Sequence, residues 1–188
     1  PAAGRAEAPP TAPPTDASVR DAAALQRWID DIYERGAVAI DTETTSLNEM
    51  EAERVGVSLA TRPGKACYIP LALRVGEDDL RGDGKRAPDQ LSANEALIAL
   101  APVLGDASIL KIGQNLKYDL KVLARRPELQ GLAIAPIDDT MLLSYAQAAG
   151  LRSHGMDSLS AAHLDHTPIP IKELIGSGKS QITFNQVK

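Results

Sequence analysis

Asp41 and Glu43, one residue apart, close the short apolar run Ala37-Val38-Ala39-Ile40. A wholly apolar run of that length is expected of a strand covered on both faces. Side chains alternate along a strand, so Asp41 and Glu43 project to the same side. Two like charges at the end of a core strand repel each other and lose hydration. A divalent cation relieves both costs, and carboxylate oxygens suit Mg²⁺ or Mn²⁺. The C-terminal end of a sheet strand is also where α/β folds place their sites. A lone Asp-x-Glu is weak evidence, because Asp41 capping a turn beside a solvated Glu43 would leave the same trace.

Asp119 supplies a third acid, within Gly113-Gln114-Asn115-Leu116-Lys117-Tyr118-Asp119. Leu116, Leu120 and Leu123 define the inward stripe of a helix beginning at Asn115, and Asp119 borders that stripe. A carboxylate there faces the sheet. The competing reading is an exposed Asp119 paired with Lys117 or Lys121. Three acids, each at the margin of a core element, favour a shared cation.

The elements that must hold these groups follow from periodicity. Asp16 or Ser18 caps a helix running to about Glu34, with Leu25, Trp28, Ile29 and Ile32 as its buried stripe and Gly36 as its end. The Ala37–Ile40 strand follows. Arg54–Ala60 and Ala66–Ile69 read as a hairpin around the turn Arg62-Pro63-Gly64-Lys65. Arg74 to Gln90 reads as a loop. Ser92 or Asn94 caps a helix carrying Leu97, Ile98, Leu100 and Leu104. Ser108–Ile112 is a strand, Asn115 caps a helix to about Arg125, and Leu132–Ile137 is another strand. Asp139 caps a helix through Gln147, and Asp157 caps one through Leu164. A hairpin followed by alternating strands and helices predicts an α/β fold, a mixed β-sheet flanked by α-helices.

Residues 1–15 are rich in Pro and Ala and read as a flexible linker. Residues 16–188 then form one domain, lacking its C-terminal part. With 188 residues and 44% hydrophobic content, the chain can bury a substantial core. Its net charge of −5 argues weakly against gripping duplex nucleic acid by raw electrostatics. It does not exclude a nuclease, because bound cations invert the field of a carboxylate cluster. One cysteine, Cys67, forbids an internal disulfide and fits a cytoplasmic protein. No apolar run approaches membrane-spanning length.

The motifs resemble those of the DNA polymerase I branch of the DEDD exonuclease superfamily. Asp41-Thr42-Glu43-Thr44-Thr45-Ser46-Leu47 is similar to the first motif, and Gly113–Asp119 to the second. Asp139-Thr140-Met141-Leu142, Met156-Asp157-Ser158-Leu159 and Gln181-Ile182-Thr183-Phe184-Asn185-Gln186 match in order and spacing. The resemblance implies a ribonuclease H-like fold and 3′→5′ proofreading hydrolysis of single-stranded DNA with two divalent cations, Mg²⁺ or Mn²⁺. It implies a polymerase domain as partner. Asp41 would bridge both cations, Glu43 would bind the one that activates water, and Asp119 would hold the second, through water.

Substrate contacts carry over to Thr44, Leu47, Gln114, Asn115 and Phe184, with Leu47 as an apolar wedge and Phe184 as a stacking platform. Ordinary packing is the competing reading for Leu47 and Phe184. The superfamily's third motif, Tyr-x-x-x-Asp, has no match. Tyr33, Tyr68, Tyr118 and Tyr145 are followed four residues on by Ala37, Ala72, Val122 and Ala149. Either a following segment supplies that motif or the fragment lacks a ligand; in the second case the expectation is weak metal binding at the water-activating site and impaired hydrolysis.

Other signals carry less. His163 and His166 suggest a polar helix end rather than zinc. The Gly-Lys-Ser at Gly178–Ser180 lacks the upstream spacing of a phosphate loop. Asp138 reads as a neighbour of the Asp139 cap. Lys111, Lys117, Lys121, Arg125 and Arg126 form a basic patch that suits either a phosphate backbone or a solvated helix face. Two rivals remain to the exonuclease reading: an RNA-trimming member of the same superfamily, and a catalytically silent domain that is structural or only binds single strands.

Overall fold

A computed structural model describes residues 17–75, 85–151 and 153–178, together with 182 and 184. The linker assigned to residues 1–15 lies outside the described residues. Strand β1 is the pair Ala17–Ser18, and helix α1 spans Ala22–Arg35. The cap of α1 is Asp21, not Asp16 or Ser18: its carboxylate accepts from Ala24 N at 2.7 Å. Ser18 is unavailable as a cap because it pairs in a strand with Tyr68. Leu25, Trp28, Ile29 and Ile32 are buried, as their spacing predicts. Gly36 ends the helix at φ 66°, a left-handed conformation that costs glycine little.

Strands β2 (Ala37–Thr44), β3 (Arg54–Arg62) and β4 (Lys65–Pro70) form an antiparallel meander around the expected Arg62–Lys65 turn. The loop expected over Arg74–Gln90 contains two short paired strands, β5 (Arg74–Val75) and β6 (Lys85–Arg86). Helix α2 (Ala93–Gly105) starts at a capping box in which Ser92 and Glu95 bond reciprocally. It buries Leu97, Leu100 and Leu104, whereas Ile98, expected inward, is 61% exposed. Ile98 sits one residue off the stripe, so only its neighbours reach the core.

Strand β7 (Leu110–Gly113) pairs parallel with β2, and helix α3 (Leu116–Ala124) follows it. Strand β8 occupies only Ile137–Asp139. The expected strand over Leu132–Ile137 is displaced because Leu132 and Ile134 pack against the core from a loop, unpaired. Helices α4 (Thr140–Ala148), α5 (Met156–Leu164) and α6 (Ile171–Ile175) complete the described residues. Helix α5 begins behind Gly155, so Asp157 lies inside its first turn and is not its cap.

The main sheet runs β1-β4-β3-β2-β7-β8, mixed in direction, with β2 near its centre. One hydrophobic cluster joins α1, the sheet, α2 and α3 through residues such as Ile32, Ile40, Leu59, Leu97, Leu100 and Leu116. Burial of this cluster, at roughly 25 cal/mol per Å² of apolar surface, fixes the central strand and the helix that crosses its end. No helix among the described residues is long and apolar enough to cross a membrane.

Candidate active site

Strand β2 passes from core to cleft along its own length. Val38 and Ile40 are buried on one face, and Asp41 and Glu43 stand half-buried on the other. The run that began as strand on apolar grounds continues through both acids to Thr44, because β3 supplies ladder partners as far as Arg54. Asp41 lies opposite Ser58, and Glu43 opposite Gly56, before the register shifts between Glu43 and Thr44. That irregularity bends the strand where it leaves the sheet.

Asp119 reaches β2 from α3. It is 2% exposed. Its Oδ1 accepts from the Thr42 backbone N at 2.9 Å and from the Thr42 hydroxyl. The reading of Asp119 as an exposed partner of Lys117 or Lys121 is therefore replaced: Lys121 pairs with Glu49. Thr42 points to the face opposite its two acidic neighbours, which is how one strand holds the third carboxylate as well.

The electrostatics follow from crowding. Burial, and then the Asp119 charge, push the Asp41 carboxyl up to about 6. Burial, Asp41 and Asp119 push Glu43 up to about 7. Burial raises Asp119 too, against the two Thr42 bonds that favour its charged form. All three acids are thus short of positive charge. The three acids line one cavity, and the Asp119 charge is among the causes that raise both Asp41 and Glu43. Among the described residues no group of three or more His, Cys, Asp or Glu is arranged to hold a metal ion. The Thr42 bonds hold one Asp119 oxygen, Oδ1, toward β2. Carboxylate donors of this kind suit a hard cation.

All eight residues singled out in the sequence line one cavity of about 1020 Å³: Asp41, Glu43, Thr44, Leu47, Gln114, Asn115, Asp119 and Phe184. Thr44 is held by hydrogen bonds to the Ser46 carbonyl at 3.0 Å and to the Tyr118 hydroxyl at 2.6 Å. Leu47 is 95% exposed, so the packing alternative fails for it. Phe184 is half-buried at the cavity wall. The Gln114 amide accepts from the Thr140 hydroxyl and donates to His154 O at 2.8 Å, joining the cavity to α4 and the start of α5.

Asn115 corrects the sequence reading in detail. It occupies the cap position at φ 56°, yet its side chain makes no cap bond. The cap comes from Asp139. Its carboxylate accepts from Asn115 N at 3.1 Å and Leu116 N at 2.8 Å, and also from Met141 N at 2.9 Å at the start of α4. One buried carboxylate therefore anchors two helix N-termini, including that of the helix carrying Asp119. Tyr118 and Thr42 were the other residues not anticipated. Thr42 was detectable from alternation, whereas the Tyr118 contact with the residue 44–46 segment is long-range.

A six-stranded mixed sheet with flanking helices and carboxylates at the exit of a central strand defines a ribonuclease H-like nuclease fold. Brucella melitensis NrnC, solved with bound Mg²⁺ and also bound to pGG, is similar: 28% identity, TM-score 0.53, covering 74% of this chain and 58% of that one. DNA polymerase I of Rhizobium leguminosarum is 46% identical over 179 residues, 90% of this chain and 17% of that protein. DNA polymerase I of Pseudomonas aeruginosa is 38% identical over 187 residues, 98% of this chain and 19% of that protein. The chain thus spans less than a fifth of the length of these two relatives. It belongs to the 3′-5′ exonuclease family, whose model matches residues 17–188. The family is divalent-metal dependent.

Proposed function

We propose that this chain is the proofreading unit of a DNA polymerase I-type protein, removing nucleotides in the cytoplasm from the 3′ end of single-stranded DNA. The observation that carries the reading is the shared cavity in which acids from β2 and α3 meet an exposed Leu47 and the only Phe. Its volume is in the range of small-ligand sites and suits the last nucleotides of a strand. Asp41 and Glu43 would hold divalent cations, two in number and Mg²⁺ or Mn²⁺ in kind, with Asp119 acting on the second through water. Bound there, such cations polarise a phosphodiester and supply hydroxide near neutral pH.

The chain's own residues do the rest. Thr42 fixes the Asp119 carboxylate, so that no reorientation is needed when charge develops. Leu47, standing free at the cavity lip, wedges between terminal bases, and Phe184 stacks on one of them. Stacking on an aromatic contributes about 1–3 kcal/mol per base, enough to unpair a frayed end. Thr44, Gln114 and Asn115 line the path of the strand. A polymerase domain in the same protein delivers the mismatched end.

The test is digestion of a single strand labelled at its 5′ end by the protein that carries this chain, in Mg²⁺. A ladder shortening from the 3′ end, lost in Asp41→Ala with polymerisation retained, supports the reading. Unchanged shortening in Asp41→Ala would contradict it. Faster digestion of a ribose strand than of its deoxyribose counterpart would move the assignment to RNA trimming.

A further inference from the structure

The basic residues at the far end of α3 take no part in the acidic cleft. Arg125 and Arg126 follow that helix and Arg54 opens β3; with Ala52, Glu53 and Ala93 they line a second cavity of about 350 Å³. Three arginines face one glutamate in this lining, although the chain as a whole carries −5. Each guanidinium is fixed by a hydrogen bond. Arg54 Nη1 donates to Val122 O at 2.8 Å, Arg125 Nη1 to Glu49 O at 2.7 Å, and Arg126 Nη2 to Asn94 Oδ1 at 2.7 Å.

Their charges are only partly offset. Glu128 pairs with Arg126 at 3.1 Å. Burial, then Arg126, then Arg125, still pull the Arg54 guanidinium down to about 10 against the opposing pull of Glu128. The Arg54 Nε is buried with no hydrogen-bond partner, a costly state for a charged donor. Ala93 is the first residue of the 13-residue helix α2, whose N-terminal end, already capped by Ser92 and Glu95, borders the same hollow. Lys111, grouped with this patch from sequence, is not part of it. It is fully buried and donates to Asp106 O, Ile109 O and Ala135 O.

We propose that the hollow between Arg54, Arg125 and Arg126 binds a phosphoryl anion, either free phosphate or the backbone of a nucleic acid strand. Planar guanidinium forks match phosphate oxygens in pairs, and pre-positioned arginines lose little entropy on binding. The site is distinct from the acidic cleft and stands whether or not that cleft is a nuclease. The loop between them contributes to both: Ser46 and Leu47 line the acidic cavity, Ala52 and Glu53 line this one.

Titration of the whole chain with inorganic phosphate, followed by NMR of the arginine Nε–H groups, tests this directly. The signals of Arg54, Arg125 and Arg126 should move together and saturate. Arg125→Gln combined with Arg126→Gln should weaken binding by about tenfold or more, as expected for losing charge-assisted hydrogen bonds. A second titration uses single-stranded oligothymidylate without terminal phosphates. Movement of the same signals assigns the site to a strand backbone, and movement with inorganic phosphate alone assigns it to the free anion. No saturable movement with either probe, or equal affinity in the double variant, overturns the proposal. Asp41→Ala should titrate like the unmodified chain, which separates this result from the fate of the nuclease reading.

Discussion

Lowering the pH from about 8 to about 6 should change how many protons leave the protein when a divalent cation binds. With Asp41 near 6 and Glu43 near 7, the cation-free cleft at pH 6 holds a proton on Asp41 half the time and on Glu43 about nine-tenths of the time. Carboxylates must be deprotonated to ligate, so saturating Mn²⁺ should release on the order of one to two protons from these two groups at pH 6 and far fewer at pH 8. Calorimetric titrations in buffers of differing ionisation enthalpy measure this number. Asp41→Asn should release fewer protons at pH 6 than the unmodified chain, because it removes one titrating carboxyl and also lifts the Asp41 charge that raises Glu43. Release near zero at pH 6 would refute the reasoning, because it would mean that the two acids are ionised without a cation or are not displaced by one.

Stability of the cation-free chain should carry the same signature. Asp41 and Glu43 have folded-state values above their ordinary 3.8 and 4.5, so between about pH 4 and pH 7 the folded chain binds more protons than the unfolded one. Stability contributed by these groups therefore falls as pH rises through that window. Urea unfolding should find Asp41→Asn combined with Glu43→Gln more stable than the unmodified chain at pH 8, with the gap closing by pH 4; a gap that widens toward pH 4 would reverse the sign. Asp139→Ala removes the cap of two helices and should cost about 2–4 kcal/mol in urea unfolding, at roughly 1–2 per cap; a loss under about 0.5 would show that the caps are redundant. Gly56→Ala drives a Cβ into the Tyr68 ring and hydroxyl and should cost about 1–3 kcal/mol in the same assay, with no loss meaning that the Tyr68 ring swings clear.

What could be read from the sequence divides along local and long-range lines. Helix α1, strand β2, the Arg62–Lys65 turn and the inward position of Asp119 follow from periodicity and turn chemistry within a few residues. Asp41, Glu43 and Asp119 were reached from alternation and periodicity, and the other five cavity residues through motif resemblance, which encodes tertiary proximity that spacing cannot. Features decided across the chain were missed. Asp139 was legible as the cap of α4 but not as that of α3, 23 residues away in sequence at the Leu116 contact. Lys111 reads as a surface base until the carbonyls of Asp106, Ile109 and Ala135 converge on it. Leu132 and Ile134 alternate as a strand would, yet they fill the core from a loop, because apolar demand does not require ladder bonds. The Thr42 bonds that hold the Asp119 carboxylate were hidden for the same reason: they span 77 residues.

Anomalous scattering from crystals soaked in Mn²⁺ addresses the cation claim most directly. A peak touching the carboxylates of Asp41 and Glu43, with Asp119 reaching it or a second peak through water, is the predicted result. Full occupancy elsewhere with Asp41 and Glu43 bare would contradict it.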